Sequence, residues 1–269
     1  MNVNFGLTAE DYARHRAGFP DAFFERVFNE EVVKVGDSLV DLGTGTGTLA
    51  RGFALRGCNV IGLDISAQLL EQAKDLSEQA GLNIDFRFAK AEATGMPDDS
   101  FDVVSAGQCW HWFDRPAAAA EVKRILKPNG RAVIAHFDWL PLKDNVVDAT
   151  ERLIQKYNPK WYETAANGFG LYPQWLRDLG EAGFLNIQTF SFDMDVPYTH
   201  EAWRGRIRAS AGVGASLSDV DVSKFDSELK SMLEAREQVE VNAKRDAGLH
   251  PILNIPHRIF VVHACKPAE

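Results

Sequence analysis

No run of about 18 apolar residues occurs in the 269-residue chain, so no segment reads as a membrane-crossing helix. The opening MNVNFGLTAEDYARHR has no apolar stretch of the signal-peptide kind. Cysteine is scarce: Cys58, Cys109 and Cys265 are scattered, odd in number and without metal spacing, and a cytoplasmic protein with reduced thiols is expected. Positive charge is short as well. Lys and Arg number 29 against 38 Asp and Glu, a formal net charge of −9. Nucleic-acid binders need a basic face, so no nucleic-acid partner is expected. The seven histidines show neither H-x-H nor H-x₃-H spacing, and no metal is expected. Internal repeats and low-complexity linkers are also missing. What remains is an ordinary globular balance, 45% hydrophobic and 25% charged. The partner expected is a small-molecule substrate, with the chain a monomer or homodimer.

Glycine is where the sequence concentrates its information. Ser38-Leu39-Val40 is a short apolar run, Asp41 follows, and Gly43, Gly45 and Gly47 stand at alternate positions. Apolar residues at helical spacing come next, over Leu49 to Leu55. A buried strand, a glycine turn and a helix start are thus written into one segment. Glycine accepts positive φ and keeps Cβ atoms away from a ligand on the main chain. The free N–H groups of the helix start favour a negative group on that ligand. A dinucleotide fingerprint, G-x-G-x-x-G, requires its third glycine at position 48, where Thr48 stands; here the glycine is Gly47.

D-x-G-x-G-x-G with its leading acid resembles motif I of the class I S-adenosylmethionine (SAM)-dependent methyltransferases. The resemblance continues through IGLDIS (61–66), AKAEATGMPDDSFDVV (89–104) and EVKRILKPNGRAVIA (121–135), and covers about the first half of the chain. It implies an α/β fold: a Rossmann-like, seven-stranded, mostly parallel sheet with an antiparallel last strand and helices on both faces. A helical cap would complete a single domain over 1–269. Its core would be 36–137, 173–192 and 257–266, with a lid over 1–34 and cap insertions at 138–172 and 193–256. The implied cofactor is SAM, with contacts at Asp41, Gly43, Thr44, Gly45, Asp64 and Ile65. Ala91 and Glu92 would lie beside the adenine, with Gln108 past the fourth strand. Related small-molecule enzymes carry a Tyr…Arg-Pro-x-Tyr-Pro segment near the N-terminus. Tyr12 and Arg16 match it, with Ala17 where the family has proline.

The local chemistry agrees with these assignments where it can be read. Asn59 to Asp64 is a strand ending in an acid, and a carboxylate there can accept both ribose hydroxyls. Ser66 caps a helix over 67–80, which Gly81 closes. Strands are expected at 84–88, 101–106, 130–135, 186–192 and 257–264. Helices are expected within 8–34, at 115–126, 146–156 and 174–182, and from 219 to about 247. Past the fourth strand stands GQCWHWFD (107–114). Trp110 and Trp112 offer π faces to a sulfonium cation or walls to a substrate pocket. The HWFD sequence resembles that of the type 11, trans-aconitate methyltransferase-like branch, whose substrates are small and often acidic.

Methyl transfer to a hydroxyl, an amine or an acidic C–H needs a base, and histidine suits it. His111 is the first candidate for catalysis, with His136 and His257 at strand ends as further substrate contacts. Arg204 and Arg208 share a helix face and could fork a substrate carboxylate. The expected activity is methyl transfer to a small organic acceptor, a carboxylic or keto acid, on oxygen or carbon. Two alternatives stand beside it. An NAD(P)-dependent Rossmann oxidoreductase shares the glycine turn and Asp64 but lacks a Tyr-x-x-x-Lys; a SAM-binding regulator needs no capped aromatic pocket.

Overall fold

A computed structural model of the chain describes residues 18–161, 169–243 and 252–268. Tyr12, Arg16 and the start of the expected lid lie outside the described residues. The strands are β1 (Ser38–Leu42), β2 (Asn59–Asp64), β3 (Asp85–Phe88), β4 (Phe101–Gly107), β5 (Leu126–Trp139), β6 (Leu185–Thr199) and β7 (Ile252–Cys265). They form one sheet in the order β3-β2-β1-β4-β5-β7-β6. β1 lies parallel between β2 and β4, β3 adds to β2, and β5 adds parallel to β4. The last strand is antiparallel, as expected. Leu39, Val40 and Leu42 are all buried, which follows from a central parallel strand covered on both faces.

The helices are α1 (Asp21–Asn29), α2 (Thr48–Ala54), α3 (Ala67–Gln79), α4 (Arg115–Ile125), α5 (Val146–Tyr157), α6 (Gln174–Glu181), α7 (His200–Arg208) and α8 (Asp219–Ala243). The expected caps are formed. Ser66 Oγ accepts from Leu69 N–H at 3.3 Å, and Gly81 takes φ +69° just past the end of α3. Asp114 accepts from Ala117 N–H at the start of α4, where Pro116 fills the first turn. Such side-chain caps contribute about 1 kcal/mol each. No helix among the described residues is long and apolar enough to cross a membrane.

The chain leaves β1 toward β2 and β3, then returns past β1 to β4. That reversal opens a crevice at the carboxyl ends of β1 and β4, where open α/β sheets bind ligands. The chain divides into two compact units. The first comprises Gly18–Phe137, Leu171–Phe192 and the end of the chain from Ile259. Its core runs from Val40 and Leu42 through Val104 and Ile134 to Trp175 and Val262. The second comprises, among the described residues, 138–161, 169–170, 193–243 and 252–258. It has its own core, in which Trp203, Ile207, Phe225, Leu229 and Ile255 are buried.

Three strands are longer than the sequence pattern suggested. β6 runs on from Phe192 to Thr199 because Phe192, Met194, Val196 and Tyr198 alternate with exposed polar residues or Pro197. Such alternation is the mark of a one-sided strand, and it is weaker in sequence than a continuous apolar run. β7 likewise begins at Ile252, before His257, and β5 spans Leu126–Trp139 around the short Asn129-Gly130 turn.

Candidate functional site

The loop from β1 to α2 is built from three left-handed glycines, with φ of +59° at Gly43, +56° at Gly45 and +77° at Gly47. Space as well as φ demands glycine at the first: a Cβ on Gly43 would come 2.9 Å from Cys109 Sγ and 3.1 Å from the Phe113 ring. Thr44 N–H donates to the Leu63 carbonyl at 2.9 Å, which ties the turn to β2. At the end of β2, the Asp64 carboxylate accepts from Gly45 N–H and from Ser66 N–H, both at 2.8 Å. Burial raises its pKa, while the N–H bonds from Ser66, Gly45 and Ile65 act the other way. The acid is therefore held in one orientation against the glycine turn. Beside it Ile65 is largely exposed, and so is Phe88, the β3 residue registered with Asp64.

Asp41 lies beneath the loop at 1% exposure. Its two oxygens accept from Thr44 Oγ1 and Ser105 Oγ, each at 2.7 Å. Ser105 is the β4 residue registered with Asp41. Burial pushes the carboxyl up to about 6; the two hydroxyls oppose the shift and Asp64 adds to it. The sign of the consequence follows directly. A folded-state pKa above the unfolded value of 3.8 gives stability that is present at low pH and lost as pH rises through about 6. A shift of this size corresponds to at most about 3 kcal/mol. Asp41→Asn should remove the loss, so its melting temperature should exceed that of the wild type by several degrees at pH 8 and by little at pH 4. A difference in melting that does not vary with pH would refute the ionised, buried Asp41.

The loop after β4 begins at Gln108, a non-glycine residue at φ +61° whose N–H donates to the Ala135 carbonyl at 2.8 Å. Backbone strain of this kind gathers at functional sites. The sequence reading offered both tryptophans as pocket walls. Trp110 is instead a core residue at 1% exposure, its indole N–H donating to Asp178 Oδ2 at 3.0 Å. Apolar area and a satisfied N–H both draw it inward. Trp112 stays 45% exposed, with the exposed His111 ring 4.7 Å away. His111 lies 5.3 Å from the buried ring of His136. His136 Nδ1 meets the Tyr172 hydroxyl at 3.4 Å, and Tyr172 stacks on Trp175 at 4.2 Å. An imidazole–aromatic column thus runs from the loop into the core of this unit.

Ala91 is buried in that core, and Glu92 Oε1 accepts from Asp114 N–H at 2.9 Å. The remaining candidates belong to the other unit. Arg204 and Arg208 both bind Asp226 there, and each also pairs with Glu201, at 2.8 and 3.0 Å. His257 is buried, with Nδ1 2.8 Å from the Ile255 carbonyl. Burial pushes its pKa down to about 4, so the ring is neutral near pH 7. Among the described residues no group of three or more His, Cys, Asp or Glu is placed to hold a metal ion.

Ser105, Tyr172 and Trp175 were missed in the sequence. Ser105 could be found only through the β1–β4 register, because its strand reads as plain core. Tyr172 and Trp175 stand in a segment with no motif of its own.

A family model described as a methyltransferase domain matches residues 40–134. An uncharacterized methyltransferase of Schizosaccharomyces pombe is 32% identical over 152 residues, 56% of this chain and 57% of the relative. The match therefore spans little more than half of that protein. The crystal structure of the YcgJ protein of Bacillus subtilis is similar over 90% of this chain and 99% of its own, with TM-score 0.54 and 18% identity. Phosphoethanolamine N-methyltransferase 2 of Haemonchus contortus, in complex with phosphomonomethylethanolamine and S-adenosylhomocysteine, matches 96% of this chain and 57% of its own. Its TM-score is 0.55 at 18% identity. At these identities both structures speak for the fold alone.

Proposed function

We propose that the chain, whose residues 40–134 match a methyltransferase domain model, is a class I SAM-dependent methyltransferase that transfers a methyl group to a small organic acceptor. The observation that carries this is the turn of left-handed glycines facing the fixed Asp64 carboxylate. Gly43 lets Cys109 and Phe113 pack directly against the turn, and Asp64 has the chemistry to receive a ribose diol. These residues fit a nucleoside cofactor whose other end carries an amino acid. Asp64 would hold the ribose, the turn and the start of α2 would take the carboxylate end, and the apolar Ile65 would lie against the adenine.

Bound there, SAM supplies a methyl carbon already made electrophilic by its sulfonium. The chain's own contribution is then alignment, exclusion of water and, where needed, removal of a proton. Trp112 supports the reading by offering an indole face at the end of β4. His111 would accept the acceptor's proton on a ring nitrogen, and His136 with Tyr172 would back it.

For the acceptor we propose a carboxylic or keto acid, methylated on oxygen or on an activated carbon. The support is the resemblance carried by the HWFD loop. The test is a panel of organic acids, phenols and amines with labelled SAM. Transfer to acids above all is expected; binding of NADH without SAM would overturn the whole reading. On the best acceptor, His111→Ala should lower kcat by ~10²-fold if the imidazole is the base. A raised KM at unchanged kcat would reduce His111 to a pocket wall.

A further inference from the structure

Arg51 lies on α2, one turn past the glycine loop, and its side chain folds back toward the loop. Its guanidinium donates to the Thr46 carbonyl at 2.5 Å. The side chain is half-buried, and no carboxylate among the described residues pairs with it. Burial with no carboxylate partner among the described residues weighs against a cation there. The guanidinium packs directly on Gly47, where a Cβ would lie 3.0 Å from it and 3.0 Å from the Phe86 ring. An arginine kept against that cost, on a carbonyl of the loop, is placed for that loop.

We propose that Arg51 is a positioning residue for cofactor binding, its guanidinium bracing the Thr46–Gly47 peptide so that the glycine turn keeps its ligand-binding shape. The assignment rests on the proposed SAM reading and adds a residue that touches no ligand atom. Thr46 lies directly after Gly45, whose N–H is bonded to Asp64. Fixing the Thr46 carbonyl therefore fixes the turn from its far side, and Asp64 fixes it from the other. Without the brace, the turn would have to be ordered at the moment of binding, and affinity would fall by that cost.

The test is calorimetry with S-adenosylhomocysteine, alongside thermal melting of the ligand-free protein. Arg51→Met keeps the apolar stem and removes the donor; affinity should fall by about tenfold, the scale of one hydrogen bond from a charged group. Melting should stay within about 2 °C, because the lost bond is offset by relief of the half-buried charge. Arg51→Lys keeps a charged donor on a flexible stem and should bind with intermediate affinity. Wild-type affinity in Arg51→Met would overturn the proposal, as would a fall in melting with affinity preserved. If Arg51→Met does not fold, Arg51→Lys decides: weaker binding at wild-type melting supports the brace, and unchanged binding overturns it. Should the wild type itself fail to bind S-adenosylhomocysteine, it is the SAM reading that falls.

Discussion

Gly45→Val should bind neither SAM nor S-adenosylhomocysteine in calorimetry, while its circular dichroism stays native. Gly45 sits at φ +56°, and a β-branched residue is a genuine outlier in that region. Holding valine there costs on the order of 1–3 kcal/mol, which the turn can escape by changing conformation. Escape has a second effect, because Gly45 N–H is one of the two donors that orient Asp64. The same substitution thus spoils the cradle and releases the acid expected to hold the ribose. The sheet gains its stability elsewhere, from strands buried on both faces, so the fold should survive with a modestly lower melting temperature. Unchanged affinity in a natively folded variant would remove the loop from the site.

Asp64→Ala should lose nearly as much. Its carboxylate stands at the end of β2 with both oxygens already aimed by main-chain N–H groups. Such an acceptor is pre-organised, and a ribose diol meets it without reordering the site. Losing a hydrogen bond to a charged group costs about 1.5–3 kcal/mol, or roughly 10- to 150-fold in affinity. S-adenosylhomocysteine should suffer as much as SAM, since the ribose is common to both. A variant that loses SAM but keeps S-adenosylhomocysteine would place Asp64 near the methyl-bearing sulfur instead. Loss of both on the predicted scale, with melting within a few degrees of wild type, is the expected result.

Motif order and local pattern were legible in the sequence because their causes are local. Strand, acid, alternating glycines and helix start occupy one run from Ser38 to Leu55, and each follows from backbone freedom or side-chain polarity over a few residues. Ser66, Gly81, Asp114 and Pro116 end or begin helices for equally local reasons. The continuous apolar strands β1, β2 and β4 were found with little error in their ends, whereas β5 and β7 extend four or five residues beyond their apolar runs. The alternating half of β6 was not, because a one-sided strand and a polar loop look alike until a neighbour buries one face.

By itself, then, the sequence determined the glycine turn and the acid that ends β2, since spacing along the chain states these directly, and the resemblance carried by its motifs implied the fold class. Tertiary structure decided the rest. Ser105 meets Asp41 only because β1 and β4 pair in one register out of several. Trp110 and Trp112 are two residues apart with the same side chain, yet one is core and the other exposed. What separates them is the Asp178 carboxylate, 68 positions along the chain, which receives the Trp110 indole N–H. Arg204 and Arg208 share a helix face as their spacing predicts, but it is Asp226, from α8, that takes up their charge. A one-dimensional pattern fixes which residues share a strand or a helix face; burial and charge pairing depend on what folding brings opposite them.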